Sequence, residues 1–222
     1  MKRTKLSDRT LPVYTRGEEI ANMVTHIVGG AFGILVLAAC LLKARRGDGW
    51  DVVGAWVYGL SMIALYTASS VYHGLTAPMG KKVMQVVDHC TIYLLIGGTY
   101  TPILFSAIRP VFPGWAWTIF GLVWGIAAVA TVFTAIDLKK YAALSMACYI
   151  ATGWCIVMAL KPTLAAVPLT GLLWLLAGGI AYTVGAVIYG LGKKRRYMHT
   201  LFHIFVLLGS VLQFAAVYGW CL

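Results

Sequence analysis

The stretch MHTLFHIFVLLGSVLQFAAVYGW, residues 198–220, contains no Lys, Arg, Asp or Glu. A bilayer's hydrocarbon core is about 30 Å thick and a helix rises about 1.5 Å per residue, so about 20 mostly apolar residues cross it. The stretch therefore reads as a membrane span, with His199 and His203 in its first two turns and the basic run Lys193-Lys194-Arg195-Arg196 just before it. Six further runs of that length precede it, at 22–42, 50–73, 83–107, 114–136, 141–160 and 169–191. The chain is thus expected to be an all-α, polytopic membrane protein. A short basic cytoplasmic tail would occupy residues 1–19 and a seven-helix transmembrane domain residues 20–222.

Composition agrees. Of 222 residues, 60% are hydrophobic and 11% charged, and a mean hydropathy of +0.82 excludes an ordinary water-soluble domain. The 18 Lys and Arg outnumber the 7 Asp and Glu, for a net charge of +11. Those bases sit in short clusters between apolar runs, which is the pattern of membrane loops and not of a nucleic-acid patch. The five cysteines, Cys40, Cys90, Cys148, Cys155 and Cys221, lie in or at the ends of apolar runs with no CxxC pair, and read as reduced packing residues. No short apolar stretch with a cleavage site closely follows the basic start, so the first span is expected to be retained.

Orientation follows from the bases. Lys2, Arg3, Lys5, Arg9, Arg16, Lys81, Lys82, Lys139, Lys140 and the 193–196 run fall on one side, 13 in all, against 5 on the other: Lys43, Arg45, Arg46, Arg109 and Lys161. The positive-inside rule then puts the N-terminus in the cytoplasm and the C-terminus outside, in a multi-pass protein of the cell membrane. No internal repeat is visible. Gly29-Gly30, Gly97-Gly98 and Gly178-Gly179 lie within spans, where small residues allow close helix approach. Pro102, which lacks a backbone donor, is expected to kink the third span near its middle.

This topology gathers all five histidines, His26, His73, His89, His199 and His203, near the cytoplasmic face. Ionisable groups at membrane depth are costly, so they are usually paired, ligating or functional, although a single interfacial imidazole can simply be hydrogen-bonded at headgroup level. His199 and His203 are four residues apart and share a helix face, as neutral nitrogens suited to zinc. Ser69 and His73 repeat that spacing, and Glu19, Asn22 and His26 share another face. Three imidazoles with one open position is the usual arrangement of catalytic zinc. His73, His199 and His203 could be the ligands, with Asp88 as general base or as holder of the water. The alternative for Asp88 is an ion pair with a loop lysine. His89, about 100° round the helix from Asp88, is expected to point elsewhere.

These residues, Glu19-x2-Asn22-x3-His26, Ser69-x3-His73, Asp88 opening the third span and His199-x3-His203, resemble the motifs of the hemolysin III and PAQR (progestin and adipoQ receptor) family. The segment DHCTIYLLIGGTYTP, residues 88–102, is similar to that of its bacterial members. The resemblance implies seven helices, an internal N-terminus and a zinc ion near the cytoplasmic leaflet held by His73, His199 and His203. It implies Asp88 as the acid positioning water and Ser69 as a neighbour able to bond the reacting group. It also places the family with the alkaline ceramidases in a superfamily of metal-dependent membrane hydrolases.

The expected function is zinc-dependent hydrolysis of a lipid amide or ester at the cytoplasmic leaflet, with a membrane lipid as substrate or ligand and no nucleic acid. The alternative is a non-enzymatic sensor or regulator of membrane state with a structural zinc. An open fourth coordination position favours the first and a fourth protein ligand the second. A retinal protein is excluded because the seventh span has no lysine for a Schiff base, and a pump would carry charge near the midplane, where this chain has none.

Overall fold

The computed structural model describes residues 4–192 and 195–222, so Lys2, Arg3, Lys193 and Lys194 of the charge count lie outside the described residues. Every regular element among the described residues is helical, and seven helices are long and apolar enough to cross a membrane. They run Arg16–Ala44, Gly49–Gly74, Pro78–Ile108, Pro113–Ile136, Ala142–Ala166, Leu169–Leu191 and Met198–Cys221. The protein is a multi-pass membrane protein.

Polar chemistry carries several helices beyond their apolar runs. The first begins at Arg16 rather than Asn22, because the Thr15 side chain accepts from the Glu18 amide while the Glu18 carboxylate accepts from that of Thr15. Asp48 and Asp51 form the same reciprocal cap on the second helix, and Pro78 and Pro113 open the third and fourth at the positions where a missing N–H costs nothing.

Two helices depart from the expected form. Pro102 stands towards the end of the third helix rather than near its middle; the regular α-helix ends there, and Ile103–Ile108 continues as a π-helical turn closed by the Arg109 amide on the Leu104 carbonyl, 2.8 Å. The fifth helix is interrupted by a 3-10 turn at Cys155–Ala159, where the Tyr100 hydroxyl donates to the Gly153 carbonyl, 2.8 Å, and accepts from the Ile156 amide, 2.9 Å. A side chain from the third helix thus satisfies backbone groups that the break releases. Lys161, counted above as a loop residue, lies in the last part of this helix.

Sequential helices pack antiparallel, first on second, second on third and sixth on seventh, and the seventh returns to the first to close the bundle. The second and third helices are mostly buried, whereas the others turn residues such as Leu35, Val129 and Leu173 outward, as a lipid-facing surface should. Close approach is built in at Gly29 and Gly98. A Cβ on Gly29 would stand 2.4 Å from the buried Tyr66 ring, and one on Gly98 1.9 Å from the Ser61 hydroxyl, whereas Gly30 and Gly179 leave ordinary clearance.

Residues 4–15 do not trail away from the bundle. The Thr4 amide donates to Asp137 at 2.9 Å, Arg9 donates to the Ile136 carbonyl at 2.8 Å, and Lys82 donates to the Ser7 carbonyl. Hydrogen bonds from the Thr4 and Lys140 amides push the Asp137 carboxyl down to about 2. A folded-state value below the unfolded one stabilises the tie above the usual carboxylate range and loses that contribution as pH falls towards 2. Hydrogen exchange at the Thr4 amide is therefore expected to stay protected from pH 7 down to about 4 and to lose protection progressively as pH falls from there towards about 2.

Candidate metal centre

Because neighbouring helices alternate in direction, the start of the first, the end of the second, the start of the third and the start of the seventh meet at one end of the bundle. His73 comes from the last turn of the second helix, His199 and His203 from the first two turns of the seventh. Their ring nitrogens converge: Nε2 of His199 lies 3.3 Å from Nε2 of His73 and 3.1 Å from Nε2 of His203, and one donor atom from each of the three lies within 4.8 Å of the others.

The outer nitrogens say which form these rings take. Nδ1 of His73 donates to the Glu19 carboxylate at 2.7 Å, and Nδ1 of His203 donates to the Asn22 carbonyl at 3.2 Å. A neutral imidazole has one N–H, so both rings turn a bare Nε2 lone pair towards the centre. Two lone pairs facing a third imidazole nitrogen repel unless a proton on that nitrogen or a metal ion stands between them. Tetrahedral coordination at a Zn–N distance of about 2.05 Å separates ligand nitrogens by about 3.3 Å, close to the spacing found here. The donor set fits a zinc-like ion, with the carboxylate–histidine pairing that usually orients such ligands.

The Glu19, Asn22 and His26 face of the first helix supports this group. Glu19 also pairs with Lys81 at 3.0 Å, and Lys81 donates to the Tyr72, His73 and Leu75 carbonyls, ending the second helix beside its ligand. The Asn22 side chain accepts from the Thr200 hydroxyl at 2.5 Å. His26 stacks face to face on His203, with centroids 3.6 Å apart and planes 12° from parallel, and both its nitrogens are buried without a hydrogen bond. Its ring packs on a member of the converging group without belonging to it.

Asp88 and Ser69 are both buried and, with His199 and His203, line a mostly apolar cavity of about 160 Å³. Among the described residues Asp88 forms no ion pair with a loop lysine, as Lys81 is engaged with Glu19 and Lys82 with the Ser7 carbonyl. The basic neighbour of Asp88 is His89, whose Nδ1 lies 3.9 Å away and donates to the Gln85 carbonyl at 2.8 Å. His89 departs from expectation in lining the same cavity, though it stands outside the converging three. From there the cavity runs between the third, fifth, sixth and seventh helices, past Ile92, Tyr182 and Val206, as far as Gln213.

Two features were not read from the sequence. Lys81 ties Glu19 to the end of the second helix, which its place in a basic loop did not reveal. Tyr14 lies over the cluster, its ring stacked on His199 at 5.2 Å and 5.8 Å from His73. A single aromatic in a polar stretch gives no signal of such a contact.

Residues 14–214 match the family model described as "Haemolysin-III related". The chain is 35% identical over 210 residues to the hemolysin-3 homolog of Bacillus subtilis (strain 168), covering 94% of this chain and 97% of that protein. It is 38% identical over 201 residues to hemolysin-3 of Bacillus cereus, covering 90% of each. A human protein, monocyte to macrophage differentiation factor, is 26% identical over 214 residues, covering 90% of this chain and 83% of that one.

Proposed function

The chain belongs to the haemolysin-III related family, and on that premise we propose that it is a zinc-dependent integral-membrane hydrolase of a lipid amide or ester, acting at the cytoplasmic leaflet. The observation that carries this reading is the convergence of three Nε2 atoms beside Asp88 and Ser69 on the wall of an apolar cavity.

His73, His199 and His203 would hold the ion, with Glu19 and Asn22 keeping two of those rings in the ligating tautomer. When bound, the ion supplies Lewis acidity towards a carbonyl oxygen and towards water. Asp88 receives the proton of the attacking water and passes it to the departing amine or alkoxide, so that the acyl–heteroatom bond breaks to give a free acid. The Ser69 hydroxyl donates a hydrogen bond to the carbonyl oxygen as charge develops there, keeping its proton. The apolar stretch between the third, fifth, sixth and seventh helices takes the acyl chain, which leaves the headgroup at the polar end.

The apolar lining of the cavity supports a lipid over a water-soluble substrate, and the excess of bases at the cluster's end supports a cytoplasmic location. A reporter fused after Leu222 is expected to read out on the non-cytoplasmic side, and a cytoplasmic signal overturns that orientation. The activity is tested by incubating purified protein with a panel of lipid amides and esters. Fatty-acid release that a chelator stops and zinc restores is expected; no release from any lipid by zinc-replete protein overturns the reading.

A further inference from the structure

The three converging rings are not held alike. His73 is fixed by a carboxylate and His203 by a backbone carbonyl and the His26 stack, but Nδ1 of His199 is buried with no hydrogen-bond partner. Three aromatic rings pack around His199: Tyr14 at 5.2 Å, Tyr189 at 5.6 Å and Phe202 at 5.6 Å. Tyr189 and Phe202 are tilted, by 57° and 42°, whereas Tyr14 lies 26° from parallel. A near-parallel ring restrains rotation about the histidine's χ2 more than a tilted one does, since turning the imidazole drives its edge into the facing ring.

Tyr14 is also the one of these three that comes from outside the membrane-spanning helices. Its segment is pinned at both ends, by Thr4 on Asp137 and Arg9 on the Ile136 carbonyl at one, and by the Thr15–Glu18 cap at the other. The Glu18 carboxylate further accepts from the Tyr197 amide at 2.8 Å, joining the segment's end to the residue that precedes the seventh helix. The stack therefore links two pieces of chain already fastened together on either side of it.

We propose that Tyr14 is a positioning residue of the metal centre: the amino-terminal segment lays its ring across His199 and His73, orients the ligand that lacks a polar anchor, and covers that side of the cluster. This rests on the zinc reading above, and it adds an element from outside the helices to a site otherwise built from the bundle. Its consequence is that metal exchange with the aqueous phase requires the segment to lift.

The test uses full-length Tyr14→Ala and Tyr14→Phe proteins, with zinc affinity, the rate of zinc loss to a water-soluble chelator, and the visible absorption of the cobalt-substituted site as readouts. Loss of an orienting partner costs about 10–100-fold in metal affinity, and Tyr14→Ala is expected to show a loss of that size with faster exchange and a shifted cobalt spectrum. Tyr14→Phe keeps the ring and should match the wild type in all three. A Tyr14→Ala protein with wild-type affinity and spectrum overturns the proposal, as does a Tyr14→Phe protein impaired as much as Tyr14→Ala. The two readings separate cleanly, because wild-type protein that binds no zinc ends both, whereas zinc-replete wild type with an unchanged Tyr14→Ala ends this one alone.

Discussion

Asp88→Asn is expected to leave the protein folded and zinc-replete while lowering lipid amide or ester turnover by about 10²–10⁴-fold, the contribution of a positioned general base. The substitution keeps the shape of the side chain and some hydrogen bonding but removes the site that accepts a proton. Asp88 lies outside the converging nitrogens, on the cavity wall with Ser69, so metal retention should not depend on its charge. A structural zinc site predicts the opposite pattern, in which activity survives as long as zinc and fold do. Zinc content, thermal stability and hydrolysis measured on one preparation separate the two, and full activity in folded, zinc-replete Asp88→Asn protein rules out the mechanism.

Alanine at His73, His199 or His203 should each remove most of the metal from purified protein, because two imidazoles leave an incomplete shell. Binding to the native state at a free zinc concentration about 1,000 times Kd stabilises by about 4 kcal/mol. Chelation should therefore lower the Tm of the wild type, and each of the three variants should already show the lower value and no longer respond to chelator. His89→Ala should retain both zinc and the chelator response, since its Nδ1 is engaged with the Gln85 carbonyl away from the cluster. If His89 proves as necessary as the other three, the ligand set is wrong.

The seven spans were legible because a membrane crossing is written in length and hydropathy, which need no knowledge of neighbours. Their ends were less so. The first helix starts at Arg16 and the third at Pro78, where capping and a proline outweigh hydropathy, and both lie several residues outside the apolar runs. The break in the fifth helix had no local mark, because the hydroxyl that supports it belongs to Tyr100 in another helix. The histidine cluster was legible from i, i+4 spacing together with alternating helix direction, and the first helix meets it through the Glu19 carboxylate, the Asn22 backbone carbonyl and the His26 ring. Which base paired with which acid was not, since Lys81 reaches Glu19 across a turn whose geometry no spacing rule encodes. Tyr14 was missed for the same reason, as its position depends on the path of a segment pinned to residues more than a hundred positions away.

The central claim, an open three-histidine zinc site, is tested most directly by X-ray absorption at the zinc edge of the purified protein. The account predicts about one zinc per chain, with three imidazole nitrogens at about 2.0–2.1 Å and one further light ligand that an added anion displaces. A protein without zinc, a fourth imidazole, or a sulfur scatterer at about 2.3 Å would contradict it.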